Sequence, residues 1–482
     1  MATMAAVDLG AQSGRVAVGT LDDGRLTVDE VRRFPNGPVE EGGRLRWDLD
    51  GLVRETTEGL RAAGEVDSIG VDSWAVDFAL LTADDSLVES PVHYRDPQRT
   101  AALAELDRRI SPRELYGRTG IQRLPINTIV ELAGMAARGD AALETADVLL
   151  MIPDVVHNRL CGSRAGEHTN ASTTQCLDAT TGVWAADILA RLDIPVGLLP
   201  DVVEPGTILG EALGARVVAV ATHDTASAVA AVPLRGPGAV YLSVGTWSLV
   251  GTELSQPLIT DETFAANLTN EGGVAGTTRL LCNVTGLWLL HECRRVWAEE
   301  GRVYSFEELV RLAADANALQ SFVDPDAESF AQPGSMPERI ATFCRESGQP
   351  VPESDAAVVR CVLESLALKH AHAVELLREA AGVVPTELNV VGGGARNELL
   401  CAWTASAAGL PVVAGPEEAT VVGNLLVQAI ALGELASVDE ARQVVRASFR
   451  PAVHGPRASS EWQDARGRFS TLLAGAGLEV SA

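Results

Sequence analysis

Asp224 is the residue of this sequence best placed for acid–base chemistry. It follows a predicted apolar strand over 217–221 and stands between His223 and Thr225. A carboxylate in such a place can accept the proton of a hydroxyl group whose oxygen attacks a phosphoryl group. The imidazole and the hydroxyl beside it could hydrogen-bond the same substrate. The pattern alone leaves an alternative open, because Asp224 could instead cap a predicted helix over 225–232.

Two predicted hairpins carry groups that suit phosphate. The first covers 5–19 and places Asp8 at the end of its first strand, before a turn over 10–14. The second covers 239–252 and places Thr246 in a turn of similar layout. Backbone N–H groups of such turns bind phosphate, and glycine lets a ligand approach the backbone closely. The simpler interpretation, in which Asp8 and Thr246 only form turns, stays open at this point.

A run of three glycines, Gly392–Gly394, separates a predicted strand over 388–391 from a predicted helix over 398–408. A strand, a glycine turn and a helix N-terminus together present N–H groups to a nucleotide. The run lacks the Gly-x-Gly-x-x-Gly spacing of dinucleotide-binding proteins. A further glycine-containing segment, 414–424, precedes a predicted apolar helix that ends at Leu432.

Strands and helices must alternate along the chain to position these groups. Further strands are predicted over 68–72 and 73–81, and the two similar hairpins indicate a duplicated fold. Leu234–Gly238 is the best candidate for a linker, because its proline and glycines continue neither flanking element. Helices are predicted over 99–110, 127–138 with Asn127 as N-cap, 361–379 and 460–473.

The composition excludes several classes of protein. The chain has 482 residues, which suits two large domains, and a formal net charge of −27. Nucleic-acid and membrane-surface binding need a basic surface, so neither a nucleic-acid nor a membrane partner is expected. Lys369 is the only lysine and lies in a predicted helix, which excludes a Walker A loop and the protein-kinase lysine.

The chain start has no basic and apolar leader, and no uncharged apolar run reaches the ~18 residues of a membrane span. The cytoplasm is therefore the expected compartment. Seven scattered cysteines form neither a disulfide framework nor a metal motif. Cys344 and Cys361 are close enough in sequence to meet, but buried free thiols are the preferred interpretation.

An ordered set of short motifs, from about residue 5 to 450, resembles the FGGY carbohydrate kinases. The resemblance implies an α/β protein with the two-domain actin/Hsp70-like (ribonuclease H-like) ATPase fold and an interdomain cleft. It implies an N-terminal sugar and phosphate-loop domain over 1–237, a C-terminal nucleotide domain over 238–450 and a tail over 451–482. The motifs that carry it are Val7–Arg15, Gly70–Phe78, Pro91–Asp96, Leu150–Asp154, Thr169–Gln175, His223–Val229, Ser243–Ser248, Asn270–Gly273, Asn283 with Gly286–Trp288, and Gly392–Gly394.

The resemblance also implies roles for individual residues. Asp224 would be the catalytic base, and Asp8 would orient Mg²⁺ through water. Groups that bind ATP would be Ala11, Gln12, Ser13, Gly14, Arg15, Thr246, His291 and Gly393. Groups that line the sugar would be Trp74, Ala75, Asp77, His223, Asp224, Thr225 and Asn283.

This sequence departs from the family pattern at a few of these positions. Gln12 stands where the family usually has Ser, which is tolerable because the backbone N–H groups bind phosphate. Ala75 replaces the usual glycine, and its methyl group narrows the sugar pocket. His291 stands where relatives carry Gln, and a lone helical His is more often structural. Trp74 could equally be a core aromatic residue.

The expected function is transfer of phosphate from ATP, with Mg²⁺, to the C1 hydroxyl of L-rhamnulose. The small-molecule sugar and ATP are the expected partners of a monomer or homodimer. Another ketose, such as L-fuculose or L-xylulose, is the alternative of the same class. An actin-like ATPase or sugar sensor is the alternative of another class, and an intact Asp224 argues against it because a sensor needs no base.

Overall fold

A computed structural model describes residues 1–234, 236, 238–457 and 459–475. Within the predicted linker, Arg235 and Pro237 lie outside the described residues, as do Ala458 and the last residues of the predicted tail. The chain divides into two compact units. The first comprises Met1–Pro233, Glu253–Leu280 and Glu418–Arg450. The second comprises Leu234–Thr252, Leu281–Glu417 and the described residues from Pro451 onward.

The strands are numbered in chain order. They are β1 Ala2–Leu9, β2 Ser13–Asp22, β3 Arg25–Pro35, β4 Pro38–Glu41, β5 Arg44–Trp47, β6 Ser68–Ser73, β7 Phe78–Leu81, β8 Val148–Met151, β9 Gly166–Glu167, β10 Val202–Val203, β11 Thr207–Ala212, β12 Ala215–Ala219, β13 Val240–Val244, β14 Trp247–Leu254, β15 Thr269–Gly272, β16 Thr278–Thr285, β17 Leu388–Val391, β18 Val412–Ala414 and β19 Ala452–His454.

The α-helices are numbered in the same way. They are α1 Leu49–Ala63, α2 Gln98–Arg109, α3 Pro112–Thr119, α4 Thr128–Arg138, α5 Ala141–Thr145, α6 Ile152–Cys161, α7 His168–Ala171, α8 Ala186–Arg191, α9 Asp224–Ala230, α10 Asp261–Ala265, α11 Trp288–Glu299, α12 Phe306–Asp315, α13 Met336–Glu346, α14 Asp355–Ala381, α15 Glu398–Ala408, α16 Ala419–Ala431, α17 Val438–Ser448 and α18 Ser460–Gly475.

The main sheet of the first unit has the strand order β11-β12-β6-β1-β2-β3. Strands β1, β6 and β12 run parallel, so their carboxyl ends meet at one edge of the sheet. The register pairs Asp8 with Asp72, and a single bridge joins Ser73 to His223. β1 and β6 are buried on both faces along almost their whole length, as expected for parallel strands covered by helices.

Helix α16 explains why residues 418–450 belong to the first unit although they follow most of the second in sequence. Its Asn424 side chain donates to Asp72, and its Gln428 side chain donates to the carbonyl oxygen of Ala5. Ser68 on β6 donates to the Gln428 oxygen at 2.6 Å. The first unit is therefore built from separate segments, whereas the predicted domains, with boundaries at 237 and 450, are contiguous. The difference arises because the chain returns to the first sheet after leaving it.

The second unit contains a sheet in which β14, β13, β17, β18 and β19 pair in that order. The hairpin β13–β14 and the parallel pairing of β13 with β17 place the turn at Thr246 beside the glycine run. The long helix α14 is buried along most of its length. The lone lysine, Lys369, lies on α14 and pairs with Asp324 at 2.8 Å and with Asp326 at 3.0 Å.

Both predicted hairpins are confirmed, as β1–β2 and β13–β14. Helix α14 begins six residues before its predicted start because Ser354 caps it, accepting a hydrogen bond from the backbone of Ala357. Asn127 stands at the N-cap position of α4 but makes no side-chain cap bond. Cys344 and Cys361 are free thiols, and both are buried.

Gly423 on α16 allows that helix to touch α9, because a Cβ atom there would lie 1.7 Å from the carbonyl oxygen of Ser227. We predict that Gly423→Ala destabilises the protein by about 1–3 kcal/mol or more, since overpacking against a backbone atom forces the helices apart. Urea unfolding followed by circular dichroism measures the change.

Gly117 on α3 is the matched control, because the nearest atom to a Cβ there is the Arg113 guanidinium at 4.0 Å. Gly117→Ala should be neutral or stabilising by about 0.5–1 kcal/mol, the helix preference of alanine over glycine. Equal stability of Gly423→Ala and the unmodified protein would contradict the close helix contact.

Candidate functional site

Three carboxylates gather at the carboxyl edge of the first sheet. Asp8 lies near the end of β1, Asp72 lies beside it on β6, and Asp224 begins α9 after β12. Asp8 and Asp72 are buried, whereas the Asp224 side chain keeps 32% of its surface exposed. The site therefore contains one partly exposed carboxylate, Asp224, one mostly buried, Asp8, and one fully buried, Asp72.

The predicted phosphate turn, Ala11–Arg15, stands at the start of β2. The backbone N–H of Gly10 donates to the carbonyl oxygen of Ser13 at 3.0 Å, which closes the turn. The Arg15 guanidinium donates to one Asp8 oxygen, from Nε at 2.9 Å and from Nη2 at 2.6 Å. Its Nη1 contacts Glu418. The Arg15 side chain is thus fixed by two carboxylates, Asp8 and Glu418.

Among the described residues, the contacts of the Asp224 carboxylate fall on one oxygen, Oδ1. It accepts from the backbone N–H of Thr225 at 2.6 Å and from the Thr225 hydroxyl at 3.2 Å. The His223 Nε2 atom lies 3.4 Å from the same oxygen. Burial raises the pKa of Asp224 above its ordinary value; His223 opposes the shift, and Asp8 adds to it. A carboxylate with a raised pKa is better suited to accept a proton.

The alternative in which Asp224 is the helix cap is wrong in its detail. Helix α9 includes Asp224 as its first residue, and His223 occupies the N-cap position without a side-chain cap bond. The Asp224 carboxylate does bind the N–H of Thr225, so it still stabilises the start of the helix.

Asp72 has no hydrogen-bond partner for its Oδ1 atom among the described residues, while Oδ2 accepts from Asn424 at 2.6 Å. Burial raises the pKa of Asp72 well above its ordinary value, and the nearby Asp8 and Asp224 act in the same direction. An unpartnered carboxylate oxygen next to further carboxylates is a donor set that suits a hard cation.

The carboxylates nevertheless form no complete cage for an ion. No group of His, Cys, Asp or Glu in the described ranges is arranged to hold a metal directly. Mg²⁺ usually keeps several waters and binds one or two carboxylates together with substrate phosphates. The residues present therefore suit a magnesium ion that would be held mainly by its waters and by substrate phosphates.

Glu167 fixes the chain just before Asp224, and the sequence analysis did not single it out. Its carboxylate accepts from the Thr222 backbone at 2.9 Å, the Thr222 hydroxyl at 2.7 Å and the Thr169 hydroxyl at 2.6 Å. The Thr169 hydroxyl in turn accepts from the backbone of His223 at 3.1 Å. Glu167 also caps the short helix α7, and because glutamate is not among the residues preferred at this position, the local sequence carries no signal for it.

Asp77, a predicted sugar contact, is saturated by protein donors. It accepts from the indole N–H of Trp47 at 2.6 Å and of Trp74 at 3.0 Å, and from Arg99 at 2.8 Å. Burial raises the pKa of Asp77 to about 6, although Arg99 and the indoles oppose the shift. Trp74 lies in a buried aromatic cluster, with its ring centroid 4.0 Å from that of Trp47. Asp77 therefore positions aromatic side chains.

Ala75 lies in the bend that follows Trp74. The next residue, Val76, has a φ of 67°, a left-handed conformation that is rare for a β-branched side chain. The Thr128 hydroxyl donates to the Val76 carbonyl oxygen at 2.7 Å and holds the bend. Backbone strain of this kind clusters at functional sites, which is consistent with a role for this bend.

The second unit holds the remaining predicted residues. Thr246 lies in the β13–β14 turn, where its carbonyl oxygen accepts from Gly286 at 3.0 Å. Asn283 lies on β16. His291 lies on α11 with its ring centroid 5.3 Å from that of Phe306, and burial lowers its pKa to about 4. The neutral imidazole of His291, in contact with an aromatic ring, is compatible with both interpretations, a structural role and a contact with the nucleotide.

The glycines of the run differ in what surrounds them. Gly392 has a φ of 80°, and a Cβ atom on Gly394 would lie 2.2 Å from Val244. Both positions therefore need glycine for the fold. A Cβ atom on Gly393 would meet no atom within 4 Å, so this position faces open space. Of the three, Gly393 is the one whose side-chain space a ligand could share.

No helix within the described part of the chain is long and apolar enough to cross a membrane. This finding rests on residues 1–234, 236, 238–457 and 459–475.

Sequence profiles of known families match nearly the whole chain. The N-terminal domain of the FGGY family of carbohydrate kinases matches residues 3–225, and its C-terminal domain matches residues 240–432. A protein of Bacteroides thetaiotaomicron named rhamnulokinase is 42% identical over 97% of this chain and 99% of its own length. A rhamnulokinase of Enterococcus faecalis is 39% identical over 94% of each chain.

Solved structures resemble the fold. A ligand-bound xylulose kinase from Lactobacillus acidophilus has a TM-score of 0.77 at 16% identity, covering 98% of this chain and 97% of its own. A Plasmodium falciparum glycerol kinase with ADP has a TM-score of 0.76 at 13% identity, covering 99% of this chain and 98% of its own. These likenesses confirm the predicted two-domain α/β fold of the actin type.

Proposed function

Because the chain belongs to the FGGY family of carbohydrate kinases, we propose that it transfers the γ-phosphoryl group of ATP to the C1 hydroxyl of L-rhamnulose. The observation that carries this proposal is the similarity to proteins named rhamnulokinase, which extends over nearly the full length of both chains. The product is L-rhamnulose 1-phosphate. The other product, ADP, leaves with the oxygen that joined its β-phosphate to the transferred group.

Asp224 is proposed as the base of this reaction. As the C1 oxygen bonds to the γ-phosphorus and the bond to the ADP oxygen breaks, the C1 hydroxyl must release its proton. Oδ1 of Asp224 already accepts from Thr225, so Oδ2 is the oxygen that takes this proton. The partial exposure of the Asp224 side chain and its raised pKa support the assignment.

The phosphates of ATP are assigned to backbone N–H groups and Arg15. We assign the N–H groups to the turn Ala11–Gly14 and a further hydroxyl to Thr246, as the family resemblance implies. The nucleoside is assigned to Gly393 and, as a weaker candidate, His291. Mg²⁺ held through water by Asp8 would neutralise charge on the phosphates when bound.

The sugar is assigned to the backbone of Ala75 and to the side chains of His223, Thr225 and Asn283. The saturated hydrogen bonds of Asp77 leave it a supporting role behind Trp74. Another ketose, such as L-fuculose or L-xylulose, is the alternative substrate, because hydroxyl configuration selects among these sugars. The carboxylate of Asp224 argues against a non-catalytic sugar sensor. It is partly exposed, and among the described residues it forms no ion pair with Lys or Arg.

A cytoplasmic location and a monomer or homodimer without nucleic-acid or membrane partners complete the proposal. The acidic chain, with its net charge of −27, carries no basic excess that would attract a polyanion.

The substrate is tested by a coupled ADP-release assay over a panel of ketoses that includes L-rhamnulose, L-fuculose and L-xylulose. We expect the highest kcat/KM for L-rhamnulose. A preference of about tenfold or more for another ketose, equal to about 1.4 kcal/mol of transition-state binding, would contradict the substrate and leave the family unchanged.

Asp224→Asn tests the base. The amide keeps the shape of the side chain but cannot accept the proton, so kcat should fall by about 10²–10⁴-fold, roughly 3–5 kcal/mol. The KM for the sugar should change much less, because the amide still hydrogen-bonds a hydroxyl. Steady-state kinetics and thermal melting are measured on the same preparation.

Asp23→Asn is the control for that variant, because Asp23 is exposed in the β2–β3 turn at a φ of 46°, which Asn also tolerates. Its kcat should equal that of the unmodified enzyme. A folded Asp224→Asn enzyme that keeps more than about a tenth of its kcat would rule out the base assignment.

Gly393→Val tests the nucleotide face. The new side chain should occupy ligand space and raise the KM for ATP far more than the KM for the sugar. Thermal stability should change little, because a Cβ atom at Gly393 meets no atom of the surrounding residues within 4 Å. Gly455→Val is the control, since a Cβ atom there also meets open space. An unchanged KM for ATP in Gly393→Val would make the glycine run structural only.

A further inference from the structure

Two buried charged residues stand behind His223, within the first unit. Arg279 is fully buried at the start of β16, and its Nη2 atom lies 3.0 Å from Nδ1 of His223. The same Nη2 atom lies 3.1 Å from Glu271, which is buried on β15. Together they form a chain of contacts that runs from Glu271 through Arg279 and His223 to Asp224.

This chain of contacts is costly to bury. Removing a guanidinium and a carboxylate from water costs several kcal/mol per ion, roughly as much as their attraction returns. Apolar residues of similar volume would stabilise the fold as well or better. A role in orienting other groups explains the pair more directly than stability does.

Arg279 determines where the ring proton of His223 resides. A guanidinium has N–H donors and no acceptor. The Nδ1 atom of His223, 3.0 Å from Nη2, therefore acts as the acceptor, and the ring carries its hydrogen on Nε2. Nε2 lies 3.4 Å from Oδ1 of Asp224, so this tautomer directs a donor at the carboxylate. The Glu271 oxygen, 3.4 Å from Nδ1, faces the same ring and neutralises Arg279.

The strand that carries Glu271 is itself fixed on both sides. The backbone N–H of Asn270 donates to the carbonyl oxygen of Gly120 at 2.8 Å. The backbone N–H of Gly272 donates to the hydroxyl of Ser172 at 2.8 Å, and the Gly272 carbonyl oxygen accepts from Nε of Arg279 at 2.8 Å. Both members of the pair are therefore held rigidly, which positions His223 without help from a ligand.

We propose that Arg279 and Glu271 are positioning residues that fix the His223 tautomer and, through it, turn Oδ2 of Asp224 toward the substrate hydroxyl. The proposal rests on the proposed function of Asp224. With Oδ1 occupied by Thr225 and facing the His223 N–H, the second oxygen is left to receive the proton. The pair touches neither the proton nor the phosphoryl group.

Arg279→Met tests the proposal, because it removes the donors and keeps much of the side-chain volume. We expect kcat to fall by about 10–100-fold, the size of a lost hydrogen bond to a charged group, with little change in the KM for the sugar. Arg279→Lys retains a charged donor group and should restore a large part of kcat. Kinetics are measured with the ketose that the unmodified enzyme uses best.

Arg360→Met is the matched control, since Arg360 is a largely buried arginine of the second unit that pairs with Glu364 and backbone carbonyl groups. Arg360→Met should lower the melting temperature about as much as Arg279→Met does, while its kcat stays close to that of the unmodified enzyme. If Arg279→Met lowers kcat no more than Arg360→Met does, the proposal fails.

A double-mutant cycle with His223→Asn shows whether Arg279 acts through His223. We expect Arg279→Met to cause no further loss of kcat in the His223→Asn background, because the group that it orients is gone. Losses that multiply would contradict the proposal. If Arg279→Met does not fold, Glu271→Gln takes its place in the cycle, with the same expected outcome. The proposed function fails separately, when the unmodified enzyme phosphorylates no ketose.

Discussion

The site depends on holding like charges together at the carboxyl ends of three parallel strands. Strands β1, β6 and β12 bring Asp8, Asp72 and Asp224 to the same edge, where the carboxylates repel one another. Arg15 binds Asp8, Asn424 binds Asp72, and the Thr225 donors bind Asp224. Each carboxylate thus has its own donor, and the donors come from different parts of the chain.

This constraint accounts for the way the first unit is assembled. Helix α16 returns late in sequence to supply Asn424, and Glu418 directly before it contacts Arg15. Segment 253–280 supplies Glu271 and Arg279 behind His223. In the second unit a buried charge is also paired with groups of opposite charge, since the ammonium group of Lys369 contacts the carboxylates of Asp324 and Asp326.

The sequence allowed the two hairpins, several central strands and the position of Asp224 after a strand to be predicted, because apolar runs and local motifs specify them. It did not reveal the contact of Glu167 with Thr222 or that of Arg279 with His223, which join residues 55 and 56 positions apart. Asn424 is 352 residues from Asp72, and no local pattern connects them. Helix ends were missed where a cap such as Ser354 lies outside the apolar pattern. The features that could not be predicted from the sequence are therefore mainly contacts between segments that lie far apart along the chain.

The most direct test is a crystal structure of the enzyme with L-rhamnulose and a non-hydrolysable ATP analogue. Measuring the distance from Oδ2 of Asp224 to the C1 oxygen of the sugar addresses the central claim. We predict a distance of about 2.6–3.2 Å, with the C1 oxygen facing the terminal phosphorus of the analogue. A structure in which the C1 oxygen faces that phosphorus but lies nearer to another base than to Asp224 would contradict the account.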